Sequence, residues 1–385
     1  MLTLIQSPRN LKRNVTLLGS ALALAFSASV FADNGRNFGS ADNANRWERG
    51  QQNGGGNPPA DRSRFAVVDT LTGITTPHGV NVMPMQKKLW VANESMNTAT
   101  RIDIGSGDIE TVVQVGAGPD LIVTDKLRQK VWVTNLKGNS VSVLNADTGA
   151  ELARIPVGKE PHGLAIDQAR GRVYVANYKD NSLFVLDART HEKLKSIPLG
   201  KGPRNIVLDM LTGNIFVSNM DEDTVSLVNP QSGKELARMK VGAKPAGLDF
   251  NMITRTLYVS NTASANVSVL RDGTEIKKIP VGANPRGIQI NLMTNQVFVS
   301  VAGENKVAVV DGFTDRIRQK VEVGEGGYVA SLDITTNTLY VANQLSNTIS
   351  VVRPDRNSDA AGTNFPGFFD RKDPAAFKGL MSLTN

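Results

Sequence analysis

The chain has 385 residues, 40% hydrophobic, 21% charged and only 5% aromatic, with a formal net charge of +7 and no cysteine. A core must therefore be built from Val, Leu, Ile and Ala. Disulfides, thiolate metal sites, cysteine nucleophiles and a lipoprotein anchor are excluded.

Residues 1–32 read as a secretory signal. Arg9, Lys12 and Arg13 form a basic n-region, Val15 to Phe26 is apolar, and Val30-Phe31-Ala32 offers small residues for cleavage after Ala32. The apolar run is short for a membrane span, and no second candidate follows. Export to the periplasm or the medium is expected, with no membrane insertion after cleavage. Losing the three basic residues reduces an already mild positive excess. Residues 33–63 are rich in Asn, Gly, Arg and Gln, too poor in apolar surface to offset chain entropy, and read as a flexible leader.

From residue 64 one pattern recurs: apolar, aromatic, Val, small, Asn. Its Asn positions are Asn93, Asn135, Asn177, Asn219, Asn261 and Asn343, with Val301 in the sixth slot. The steps are 42, 42, 42, 42, 40 and 42. A period held this tightly over seven copies marks a repeat architecture. Each unit reads as four short strands. In the third they are Leu164–Asp167, Val173–Asn177, Leu183–Asp187 and Leu194–Leu199, punctuated by Gly, Asn and Asp. The spacing predicts an all-β, seven-bladed propeller with four antiparallel strands per blade, spanning 64–353. The short step falls at Arg271-Asp272-Gly273-Thr274, where Asp-Gly suits a two-residue type I′ hairpin. The seventh unit stops after its third strand, so Phe65 to Leu71 is expected to supply the fourth and close the ring. Residues 354–385, with Phe365, Phe368 and Phe369, form a tail or a docked extension.

Trp132-Val133-Thr134-Asn135, Tyr174-Val175-Ala176-Asn177, Tyr258-Val259-Ser260-Asn261 and Tyr340-Val341-Ala342-Asn343 resemble the YVTN β-propeller repeat family, which includes surface-layer and periplasmic propellers. The resemblance spans 64–353. It implies the fold and supplies no shared catalytic set.

Function is expected on the face holding the d–a and b–c loops. Each d–a loop has a Pro-x-Gly-like element, whose middle residue can be followed round the ring: His78, Asp120, His162, Arg204, Ala246, Arg286 and Tyr328. A position fixed in space but free in chemistry is a candidate ligand rim; a solvated rim free to vary is the alternative. Tyr178 and Lys137 on the b–c loops join the candidate set. His78 and His162 lie on alternate blades, so their backbones are expected to be too far apart to share a metal ion. No cofactor is expected. His191 sits where other c–d turns have Gly107, Gly149 and Gly233, and reads as a surface residue in a left-handed turn.

No nucleophile elbow, zinc motif or phosphate loop occurs. Three functions remain open. The first is a non-catalytic, monomeric scaffold binding a protein, peptide or glycan. The second is a polyanion binder for single-stranded nucleic acid or an acidic glycan, served by Lys159, Lys201, Arg204, Lys244 and Arg286. The third is a lyase or hydrolase using a rim histidine as base. The absence of any catalytic motif leans the reading away from an enzyme.

Overall fold

A computed structural model describes residues 64–355. The proposed signal and leader, and the tail beyond Asp355, lie outside the described residues. Seven four-stranded antiparallel sheets follow one another along the chain. Blades 1 to 6 occupy 77–114, 119–156, 161–198, 203–240, 245–280 and 285–322, and blade 7 takes strands a to c from 327–354. The only helical element among the described residues is a 3-10 turn at Pro84–Gln86.

Blade 7 is completed from the other end of the chain. Phe65–Leu71 pairs antiparallel with Thr348–Pro354 as its strand d, with Phe65 opposite Pro354 and Leu71 opposite Ile349. Phe65 is buried edge-on against Phe298 of blade 6, their centroids 5.2 Å apart. Its main-chain N–H and C=O are both held by the Gln319 side chain, at 2.8 and 2.7 Å. The seam is thus tied to two blades.

The core is a set of junctions between sheets. The aromatic of each strand b packs into the blade that follows. Trp90 sits with Ile122, Val131 and Val133 of blade 2, Tyr258 with Val297 and Val299 of blade 6, and Tyr340 with Val80, Val82 and Val91 of blade 1. Two junctions hold a second ring, Phe65 beside Phe298 and Phe250 beside Phe216, and β-branched residues fill most of the remaining space on the pleated surfaces.

The repeated Asn clasps strand b to strand c. The Asn219 side-chain N–H donates to Thr224 Oγ1 at 3.0 Å and Ser226 Oγ at 2.8 Å, and Asn93, Asn135 and Asn343 do the same with their own hydroxyl pairs. Val301 has no such bond to make and joins the apolar cluster of blades 5 and 6. The shortened hairpin of blade 5 pairs Arg271 with Thr274 across Asp272 (φ +49°) and Gly273 (φ +79°), the two positive-φ positions of a type I′ turn.

Strand a runs from the d–a loops to the a–b turns, so the d–a and b–c loops share one face, called upper here. The a–b and c–d turns form the lower face.

Candidate functional site

The innermost strands approach closely near the axis, and in blades 1, 3, 5 and 6 a glycine follows the rim residue where a side chain would meet the next blade's backbone. A Cβ on Gly163 would lie 2.7 Å from the Arg204 carbonyl oxygen of the next blade. That approach brings the middle residues together. All seven line one pit at the upper mouth. A recess of about 300 Å³ opens above it, walled by His78, Asp120, His162, Arg204 and Tyr328 and further out by Glu94, Leu136 and Gln344.

On one side of the mouth the two rim histidines converge on a carboxylate. His78 Nδ1 is 2.8 Å from Asp120 Oδ1, and His162 Nδ1 is 2.6 Å from Asp120 Oδ2. Sequence spacing set the backbones of His78 and His162 too far apart to share a metal ion; their side chains meet on the carboxylate of Asp120, which lies between them on the rim. Asp120 is only 5% exposed. Burial alone pushes its carboxyl up, but the two imidazoles beside it outweigh burial and hold it well below the usual carboxylate range. With each Nδ1 engaged on the carboxylate, Nε2 is the ring nitrogen left for a ligand. No trio of His, Asp or Glu among the described residues is placed to hold a metal ion.

The other side is cationic. The Arg286 guanidinium stacks 4.6 Å above the Tyr328 ring. Arg204 Nη2 lies 3.4 Å from Tyr328 Oη, and its Nη1 3.8 Å from Met220 Sδ. Tyr328 also packs on His78, centroids 4.4 Å apart. Arg286 Nε is buried with no hydrogen-bond partner. Burial pushes the Arg286 guanidinium below its ordinary value; the Tyr328 hydroxyl opposes that and the Arg204 charge adds to it. Among the described residues neither arginine has a carboxylate within ion-pair distance.

Tyr178 and Lys137 stand outside the pit. Tyr178 buttresses His162 edge-on at 5.3 Å, and burial together with Asp221 pushes its hydroxyl up to about 12. Lys137 reaches Glu94, 3.2 Å away. Gln344, absent from the sequence candidates, donates to Glu94 at 2.8 Å and lines the recess. It follows the repeated Asn of blade 7, as Glu94 and Tyr178 follow theirs, and that register was the available signal. His191 adopts its left-handed φ of +69° on the lower face, yet it is more than a surface residue. Its ring packs edge-on against Trp132 at 5.4 Å, and Nε2 lies 2.8 Å from Lys130 Nζ.

Residues 85–210, about a third of the chain, match the family model for the methylamine dehydrogenase heavy chain. No curated protein matches the chain. Among solved structures, hydrazine synthase of Kuenenia stuttgartiensis aligns with a TM-score of 0.66 at 19% identity, over 73% of this chain and 96% of that one. A streptogramin B lyase aligns at 0.66 with 13% identity, over 77% and 100%. The virginiamycin B lyase of Staphylococcus aureus aligns at 0.65 with 15% identity, over 76% and 100%. At these identities the likeness is one of fold, and the chain is a seven-bladed β-propeller whose solved neighbours carry different activities.

Proposed function

We propose that the chain is an exported, monomeric binding propeller of the YVTN-repeat type. It holds a small organic anion at the upper mouth of its channel and presents it, or a partner bearing such a group, without transforming it. One observation carries this reading: Arg286 and Arg204 stand together at the mouth, one with a buried unpaired N–H, and neither has a carboxylate partner. Asp120 is not their ion-pair partner, since its oxygens face the two histidines. Two guanidiniums with no carboxylate in ion-pair contact form an anion site whose planar donors match a carboxylate. A recess of about 300 Å³ sits at the small end of ligand pockets.

A polymeric anion fits less well. The lysines outside the mouth are partly spent on neighbours, with Lys244 2.9 Å from Asp221 and Lys137 paired to Glu94. Calorimetric titration with acetate, succinate, citrate and inorganic phosphate tests the reading. Saturable binding of a carboxylate is expected, and Arg286→Gln or Arg204→Gln should weaken it roughly tenfold to a hundredfold, the worth of one charge-assisted hydrogen bond. Affinity unmoved by both changes, or no saturable binding of any of the four, rejects it. Tight oligonucleotide binding that collapses between low and physiological salt would instead favour the polyanion.

A second reading rests on the Asp120–His162 pair. A carboxylate 2.6 Å from Nδ1 orients the ring and leaves Nε2 as a positioned general base. Two of the structural neighbours are lyases by name. Incubation with virginiamycin B tests it: turnover abolished by His162→Ala would establish catalysis, and absence of turnover would remove this reading.

A further inference from the structure

The upper mouth is bipolar. Arg204 and Arg286 gather on Tyr328, with Arg204 Nη2 3.4 Å from its hydroxyl and the Arg286 guanidinium 4.6 Å above its ring. His78 packs on the same ring from the neighbouring blade, centroids 4.4 Å apart. One tyrosine thus links the two cations to the histidine pair, and all of them line a single pit.

The histidine side offers acceptors, because its contacts fix where the hydrogens lie. His78 Nδ1 has the Asp120 main-chain carbonyl oxygen 3.3 Å away as well as Oδ1 at 2.8 Å. A carbonyl oxygen can only accept, so this Nδ1 carries the hydrogen. His162 Nδ1 lies 2.6 Å from Oδ2 of the same carboxylate, which the two imidazoles keep ionised, so it is a donor too. A neutral imidazole with its hydrogen on Nδ1 presents a lone pair at Nε2. Among the described residues neither Nε2 has a hydrogen-bond partner, and neither is sealed from solvent. Tyr178 against His162 and Tyr328 against His78 hold the two rings in place.

Negative charge stands beside these acceptors. Asp120 lies between the rings, and Glu94, partnered by Lys137, adds a second carboxylate to the outer wall of the recess. A dianion seated on the arginines would bring its far carboxylate toward this side and be repelled. A cationic group in the same place meets opposite charge and two lone pairs.

We propose, building on the anion reading above, that the mouth takes a zwitterion: a small amino acid whose carboxylate lies on Arg204 and Arg286 and whose ammonium group faces Nε2 of His78 and His162. The arginines bind the acid and the Asp120–histidine side selects for the amine.

Calorimetry at about pH 8, where an ordinary imidazole is neutral and an aliphatic ammonium is charged, tests this. Glycine, β-alanine, 4-aminobutanoate and 5-aminopentanoate are each compared with the carboxylate of the same carbon number that lacks the amino group. At one length or more the amino group should tighten binding about tenfold, the worth of one charge-assisted hydrogen bond. His162→Phe keeps a ring against Tyr178 without its nitrogens, and Asp120→Asn removes the charge. Either change, in protein that retains a cooperative thermal transition, should shrink that preference several-fold. Carboxylates that bind saturably while no amino acid binds better than its parent overturn the proposal and leave the anion reading standing. A preference untouched by both substitutions in folded protein overturns it as well, and binding by neither series removes both readings.

Discussion

Two carboxylates near the axis, Asp120 and Asp249, show how a neighbour decides what burial does. Both are penalised by burial first. Asp120 has two imidazoles on its oxygens and stays ionised far into acid. Asp249, on the inner strand of blade 5, accepts only main-chain N–H groups, from Phe250 and from Ile290 of the next blade, each at 2.8 Å. It keeps some solvent contact along the channel, but protein packs around it and no cation offsets the burial, which pushes its carboxyl up to about 7. The linkage has a definite sign. In the unfolded chain Asp249 ionises near 3.8, whereas the folded form retains its proton to about 7. The native state therefore loses stability as pH rises across that interval and levels off above it. Blade 7 has Ser331 at the equivalent position, where Oγ accepts from Val82 of the next blade at 3.0 Å. Asp249→Ser keeps an acceptor and removes the titration. The expected outcome is a melting temperature that falls less between pH 5 and 7.5 than in the parent; an identical slope in the two proteins rejects the assignment.

Strands b and c are joined by one polar clasp set into apolar packing, and each half of the clasp is useful only if the other is present. Asn219→Ala leaves Thr224 and Ser226 buried without their donor and should cost about 1–3 kcal/mol in chemical denaturation. Blade 6 makes the complementary case. Lys306 and Ala308 occupy the two hydroxyl positions there, and Val301 opposite Lys306 is fully buried. Val301→Asn restores the repeat motif but should destabilise by a similar amount, because the new amide finds no hydroxyls and displaces core. Stabilisation by that change would show that the clasp does not depend on its acceptors.

Ring closure belongs to the whole molecule. Without 65–71, strand c of blade 7 would expose an unpaired edge, a template for association between chains. Phe65→Ala removes a nearly fully buried ring from the seam and should cost about 3–5 kcal/mol of unfolding free energy. Deleting residues 64–71 should shift elution on gel filtration toward larger species than the parent. A deletion variant that elutes with the parent and keeps its stability would mean that the ring closes without this strand.

Much of the architecture was legible along the chain because a period of about 42 residues is a local property, repeated in aromatic, Val and Asn positions that each strand needs for its own pairing. The missing last strand and the spare segment at Phe65–Leu71 announced the seam for the same reason. The rim was legible only as a register. That Asp120 would stand between His78 and His162, that Arg286 and Arg204 would gather on Tyr328, and that Gln344 would reach Glu94 depends on how narrowly seven inner strands close around an axis. Sequence alone determined the repeat, its strands and its closure, since these follow from local pattern. Only the tertiary structure decided which side chains meet across the ring, because residues 42 to 250 positions apart become neighbours through the geometry of closure and not through any signal of their own.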